Sequence, residues 1–330
     1  MLYRVALAGI GIASPAESLR SEDADLAYGF AAGTVERESG VRVRGIARTE
    51  TLVDLAATAS RRALEAARRT PSEIDCIIVA NAVPHQPIPA TAVLLKRALN
   101  FGASAVPAFD VNATCLGFLV ALDTAAAFLA TGRYGRILIA AADLPSRGVD
   151  WRDPKVAGIF GDGAAAIVLE RTRASNRGIL DLALETYADA ADACVVRAGG
   201  TAIDPHTDTE AFLRGARFEM DGPVAYRVSA DHLPALVERV LARAGVTMAD
   251  VDVIVPHQAS VTALALMERR LKIPNGRMIK IVRDRGNQVA ASLPTALAWA
   301  KSEGRIHDGS LVMLLGTAAG ITLGVALWRL

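Results

Sequence analysis

The stretch AVPAFDVNATCLGFLVALDTAAAFLATG, residues 105–132, decides how the rest of the chain is read. An apolar run ends in Asp110 and Asn112, Cys115 follows, and Gly117 opens a long apolar, Ala-rich segment. That order predicts a strand, a sharp turn, a cysteine and a buried helix. A thiol at the start of a helix meets unpaired N–H groups and the positive end of the macrodipole, which favour the nucleophilic thiolate. Free cysteines more often act as small buried hydrophobes, so context must decide whether Cys115 reacts.

On both sides of this stretch the chain alternates strand and helix patterns. RVALAGIGIAS reads as a first strand; Gly9 and Gly11 supply half of a dinucleotide fingerprint, but Ser14 and Pro15 stand where its last glycine would be. Residues 16–50 are charged and broken by Gly29, Gly33 and Gly40, which suggests short helices and an exposed loop. Thr51 to Thr70 has apolar residues at helical spacing, and Ile77 to Ala80 is a buried strand before a proline-punctuated loop. After the cysteine helix come the strand GRILIAAAD, a polar loop, and GIFGDGAAAIVLE as turn and strand.

The second half repeats the rhythm. A strand RGILDLALETYA precedes a long excursion over residues 188–226, which holds Cys194. A helix SADHLPALVERVLARAG, a strand DVIVPHQAS, a helix VTALALMERRLKI and a strand MIKIV follow. RGNQVAASLP opens a last helix, and two strands close the chain. The order indicates an α/β layered sandwich made of two similar halves, 1–172 and 173–330, from internal duplication.

Composition narrows the function classes. With 52% hydrophobic and 22% charged residues, the 330-residue chain has material for a large core and lacks the signature of disorder. A net charge of +1 gives no footprint for nucleic acid. Apolar runs are interrupted by Gly, Asp or Arg before they reach membrane-spanning length, and the N-terminus reads as a strand rather than a signal peptide. Three widely spaced cysteines, Cys76, Cys115 and Cys194, suggest no disulfide framework, no metal-ligand pair and a cytoplasmic location.

Two stretches of the second half present polar groups at strand or turn ends: His257 in VIVPHQAS, and Asn287 after Gly286 in RGNQVAAS. His85, His206, His232 and His307 fall in loops or on polar helix faces. Together NATCLGF, VPHQAS and GNQVAAS resemble β-ketoacyl-acyl-carrier-protein synthase III, of the thiolase superfamily of condensing enzymes. GIFGDGAAAIVLE, SRGVDW and GITLGVALWRL support the resemblance, which runs in order along essentially the whole chain.

The resemblance implies a thiolase-like α-β-α-β-α sandwich, a homodimer, and a catalytic set of Cys115, His257 and Asn287. Cys115 would carry the acyl group. The backbone N–H groups of Cys115 and Ala319 would form an oxyanion hole, and His257 and Asn287 would grip a malonyl thioester as it loses carbon dioxide. No cofactor or metal is implied: acyl-CoA or an acyl carrier protein delivers the acyl group, and malonyl carrier protein or another acceptor receives it. Ile88, reaching across the dimer, and Thr317 would shape the acyl pocket. Arg227, Arg269 and Arg270 would dock the acidic carrier protein.

The chain also departs from the family pattern. Thr317 stands at a usual Phe, and Thr262 at a usual Arg. AAGTVERESGV lacks the expected Trp, and Pro154 and Lys155 replace an Arg at the coenzyme A mouth, with Trp151 nearby. Arg147 suggests a structural salt bridge. These departures keep a second reading open, a non-decarboxylating acyltransferase that passes the acyl group to an alcohol or amine.

Overall fold

Two sheets carry the duplicated pattern in the computed structural model, which describes residues 3–330. The first half supplies β1 (Val5–Ala13), β2 (Cys76–Ala80), β3 (Ala108–Val111), β4 (Arg136–Asp143) and β5 (Gly163–Arg171), ordered β1-β5-β4-β2-β3. The second supplies β6 (Gly178–Thr186), β7 (Val253–Pro256), β8 (Leu311–Ala318) and β9 (Thr322–Arg329), ordered β7-β8-β9-β6. Strand β2 runs parallel to β3 and β4, as β7 runs parallel to β8, and the other pairs in both sheets are antiparallel. The division expected at 172/173 falls between β5 and β6.

Side chains that alternate along the strands assign five layers. The outer face of the first sheet, with Ile77, Val79 and Leu138, packs on helices α1 (Leu52–Ala67) and α2 (Thr91–Ala98). Its inner face, with Ile78, Ile137 and Ile139, meets α3 (Gly117–Ala130). The outer face of the second sheet, with Ile254, Met313 and Leu315, is covered by α4 (Gly222–Ala244) and α5 (Val261–Arg270). Its inner face shares the central core with α3 and α6 (Ser292–Ser302). Leu119, Leu122, Leu293 and Leu297 are fully buried there, so the two central helices are apolar on nearly every side.

Two expectations are corrected. MIKIV is not a strand: Ile279 N–H donates to Ile254 O at 2.9 Å, but the Gln258 side chain then accepts from Ile281 and Val282 N–H. Those two donors are taken from the ladder, and one bridge, Ile254 to Met278, is what remains. Residues 16–50 contain the helices Ser21–Tyr28 and Thr34–Ser39, and also a strand pair, Ser18–Arg20 with Val43–Gly45, where a loop was expected.

Gly9 and Gly11 belong to packing rather than to a dinucleotide. A Cβ on Gly9 would lie 2.2 Å from Ala63 O and 2.5 Å from Ala67 N, so α1 can lie on β1 only because the side chain is absent. Gly9→Ala should therefore lower unfolding free energy by about 1–3 kcal/mol. Gly200→Ala, in open space, should leave it within about 0.5 kcal/mol. Urea denaturation of both variants checks the pair, and equal stabilities would refute the packing account.

Candidate active site

Cys115 lies in the 3-10 turn Thr114–Leu116, which leads directly into α3. Thr114 is held at φ 47°, an unfavourable conformation for a β-branched residue. The side chain of Asn112 fixes it there: Oδ1 accepts the Thr114 N–H at 2.9 Å, and Nδ2 donates to Ala82 O at 3.1 Å. Strain of this kind persists only where the surroundings over-determine it, and here it aims a thiol along the mouth of a buried helix.

Asn287 repeats the device in the second half. Its Oδ1 accepts the Val289 N–H at 2.9 Å and its Nδ2 donates to Ala259 O at 3.2 Å, while Val289 takes φ 52°. The acceptor role of Oδ1 fixes the amide orientation and leaves one Nδ2 hydrogen unused by these bonds. Asn287 N–H also donates to Ile159 O, and Gly161 N–H to Asn287 O, so the IFG segment of the first half holds the turn of the second. At Gly286 (φ 68°) a Cβ would press on the backbone of Gly161 and Ile159, so glycine is required twice over.

His257 follows β7 directly. Its N–H donates to Leu315 O, and its own carbonyl accepts from Ala259 N–H, the residue whose carbonyl receives Asn287. A Cβ on Gly316 would lie 2.5 Å from His257 Cβ and 3.3 Å from Leu116 Cδ2. That glycine therefore lets the imidazole close on the strand beside the residue that follows Cys115. The backbone N–H groups of Cys115 and Ala319 both favour the Cys115 thiolate. In this last turn positive φ falls on Gly320 (φ 128°), not on Ala319, so Ala319 offers its N–H without strain. The three groups named from sequence thus converge, with two backbone donors, at the junction of the halves.

The electrostatics correct one expectation. Burial, and secondarily the nearby Asp143, push the Cys115 thiol up to about 12 despite the two N–H groups that favour the thiolate. The helix start lowers the thiolate energy, but desolvation wins. Burial lowers His257 to about 4, so the imidazole is neutral at neutral pH, and its Nδ1 has no hydrogen-bond partner among the described residues. Unliganded, thiol, imidazole and amide are all uncharged.

An apolar wall adjoins the thiol. Val149, Ala157, Ile159, Phe160 and Val289 pack together, with Ala82, Cys115 and Phe218 against them, and Phe160 meets Phe218 edge-on at 5.2 Å. Phe218 comes from the excursion, anchored by its N–H to Gly148 O. Cys194 lies on a two-residue strand paired with Glu219–Met220 next to it. Sequence reading missed this wall, because nothing local marks Phe218 as joining the cluster that Cys115 packs on. Thr317 is half-buried on β8, two residues before Ala319. Ile88 stays outside the wall, 85% exposed on the proline loop.

A separate cleft holds the Trp151 expected near the coenzyme A mouth. Trp151 stacks on Tyr28 with centroids 5.3 Å apart and donates to Ser146 O, beside Arg48 and Arg147 in one cleft. Among the described residues Arg147 makes no salt bridge: it donates to Ala47 O and Glu50 O, because two carbonyls reach it and no carboxylate comes within ion-pair distance. Arg227 and Arg269 are exposed without an acidic partner among the described residues. Arg270 donates to Ala230 O, which ties α5 to α4 and brings the three cations onto neighbouring helices.

Residues 109–188 match the 3-oxoacyl-[acyl-carrier-protein] synthase III family, and residues 241–330 match its C-terminal counterpart. A β-ketoacyl-[acyl-carrier-protein] synthase III of Bordetella petrii is 39% identical over 297 residues, 90% of this chain and 87% of its own. The crystal structure of the corresponding enzyme from Aquifex aeolicus superposes with a TM-score of 0.89 at 29% identity, covering 99% of this chain and 100% of that one. A priming β-ketosynthase from the R1128 polyketide pathway superposes equally, at 0.89 and 25% identity over 99% and 97%. Among the described residues no helix is long and apolar enough to cross a membrane.

The neutral thiol can be tested directly. Alkylation of Cys115 by iodoacetamide, followed by peptide mass, should still be accelerating at about pH 10, because the thiolate fraction keeps rising toward the raised pKa. A rate plateau with a midpoint at or below about pH 8.5 would show an ordinary or activated thiol instead.

Proposed function

Because the chain belongs to the 3-oxoacyl-[acyl-carrier-protein] synthase III family of condensing enzymes, we propose that it loads an acyl group on Cys115 and condenses it with a malonyl thioester. The observation that carries the residue roles is the neutral His257 tied through Ala259 to the fixed Asn287 amide, with the N–H groups of Cys115 and Ala319 favouring the thiolate. In the first half-reaction the Cys115 sulfur bonds to the acyl carbon of a donor thioester. The donor C–S bond breaks, and the thiol proton leaves with the departing pantetheine thiol. The negative oxygen that forms in between lies toward the N–H groups of Cys115 and Ala319.

In the second half-reaction a malonyl thioester enters with its carbonyl toward His257 and Asn287. Its carboxylate leaves as carbon dioxide, and the bonding electrons become an enolate. Two uncharged donors suit this step, because they stabilise the developing oxyanion without supplying the proton that would quench the carbanion. The carbanion attacks the acyl-cysteine, the C–S bond breaks, and the sulfur regains a proton from solvent. The Phe160–Phe218 pair belongs to the apolar wall that Cys115 packs on.

Donor and acceptor reach the site on phosphopantetheine arms, from acyl-CoA or an acyl carrier protein and from malonyl carrier protein. Arg227, Arg269 and Arg270 steer an acidic carrier by unpaired positive charge. A second copy of the chain covers the open edge of β3 and receives Ile88 in its acyl pocket. Support for that dimer is the lone pairing of β3 to β2 and the exposure of Ile88.

Incubation with a panel of acyl-CoA and acyl carrier protein donors, then a chase with malonyl carrier protein, tests the reading. Wild type should gain the acyl mass and then release carbon dioxide, and Cys115→Ala should gain none. His257→Ala and Asn287→Ala should still load but release carbon dioxide at least about 100-fold more slowly. Loading that persists through the chase without carbon dioxide would refute condensation and favour transfer to an alcohol or amine.

A further inference from the structure

The duplication places a second, degenerate copy of the site in the same junction. Adding 175 carries Asn112 onto Asn287, Thr114–Leu116 onto Val289–Ala291, and β4, Arg136–Asp143, onto β8, Leu311–Ala318. Asn112 and Asn287 even make the same two bonds, to the N–H two residues on and to the carbonyls of Ala82 and Ala259. The parallel strands match as well: Val79 pairs with Ala140 as Pro256 pairs with Leu315, so Ala80 is the counterpart of His257. By the same offset Ala290 is the counterpart of Cys115, and Asp143 of Ala318.

The degenerate copy is filled rather than empty. Asp143 is 2% exposed, and its Oδ2 accepts the N–H of Ala290, the counterpart of the Cys115 N–H, at 2.9 Å. Its Oδ1 accepts from Ala82 at 2.9 Å and Val83 at 3.4 Å, in the loop after β2. One buried carboxylate thus joins the turn that carries Asn287 to the loop that receives Asn112. We propose that Asp143, standing in the duplicate of the active site, is the positioning residue that holds Asn287 in working register with the thiol. The argument rests on the condensation reading above for what Asn287 does. Cys115 and Asp162 are the titratable groups coupled to this carboxylate by charge, and its charge opposes ionisation of the thiol.

Asp143→Asn keeps the volume but turns an amide N–H2 toward backbone donors. Cys115 acylation should stay within about threefold of wild type, and carbon dioxide release from malonyl carrier protein should fall about tenfold or more. In an Asn287→Ala background the same substitution should cost no more than about twofold, because the residue it positions is gone. Equal loss in both half-reactions, or full additivity with Asn287→Ala, would overturn the proposal.

A second readout does not depend on condensation. The alkylation profile of Cys115 should move to lower pH by about half a unit or more once the neighbouring negative charge is removed. An unmoved profile would overturn the placement of the anion beside the thiol. If Asp143→Asn does not fold, Asp143→Ala replaces it, since alanine occupies the counterpart position 318. If neither folds, the carboxylate is a stability element and the proposal fails. If wild type loads but releases no carbon dioxide, the condensation reading fails on its own, and the alkylation shift decides the role of Asp143.

Discussion

Two buried helices begin at one junction, and the N–H groups at their starts have no intrahelical partners. Everything else at the centre of this molecule answers that constraint. At the start of α3 the answer is the Cys115 thiol, packed against an apolar wall. At the Val289–Ala291 turn before α6 it is a carboxylate, Asp143, which accepts from Ala290. The strained Thr114 and Val289, each held by an Asn two residues before it, are the means by which both turns present their N–H groups inward. A water-exposed version of this junction would need neither asparagine, because solvent would satisfy the donors.

Burial then sets the charge state of the site. It pushes Cys115 up and His257 down, so both side chains are uncharged at neutral pH before substrate arrives. The folded protein also titrates in opposing ways. His257 has its folded value lowered to about 4, so its contribution is complete above the ordinary histidine value near 6.5 and is lost as pH falls toward 4. Asp143, raised to about 7 chiefly by burial, contributes fully in acid and loses that stability as pH rises from near 4 to 7. The three backbone N–H groups on Asp143 reduce that loss but do not cancel it. A carboxylate held in this position against desolvation is serving geometry rather than stability.

Much of this was legible in the sequence because the motifs are local. NATCLGF, VPHQAS and GNQVAAS each place a reactive group at a strand or helix end, and each lies where the sequence reading put it. The layered fold was legible for the same reason: apolar runs such as IIVA and LVMLL are long enough to be buried on both faces. What stayed hidden depends on contacts distant in sequence. Asp143 closes the run AAAD much as Asp110 closes PAFD, yet Asp110 accepts from Thr91 and Ala92 at the start of α2, and Asp143 reaches Ala290 across 147 residues. Spacing alone does not separate those two carboxylates. Phe218, the stacked Tyr28–Trp151 pair and the lost strand at MIKIV were hidden likewise, the last because one glutamine side chain, Gln258, outcompetes a ladder.

The duplication also explains why one thiol site exists and not two. Ala80 and Ala290 stand where His257 and Cys115 stand in the other copy, whereas both copies retain the asparagine. Asparagine is kept because its first task is structural: without Asn112 the Thr114 turn would have no acceptor for its N–H and no tie to Ala82. Cysteine and histidine carry no such structural duty, so either copy can lose them without loosening the junction. The copy without them has inward-facing N–H groups and no thiol beside them. A side chain from the neighbouring strand had to supply the negative oxygen, and β4 ends in aspartate where β8 ends in alanine. The asymmetry between Asp143 and Ala318 therefore follows from the chemistry of the site as directly as the asymmetry between Cys115 and Ala290.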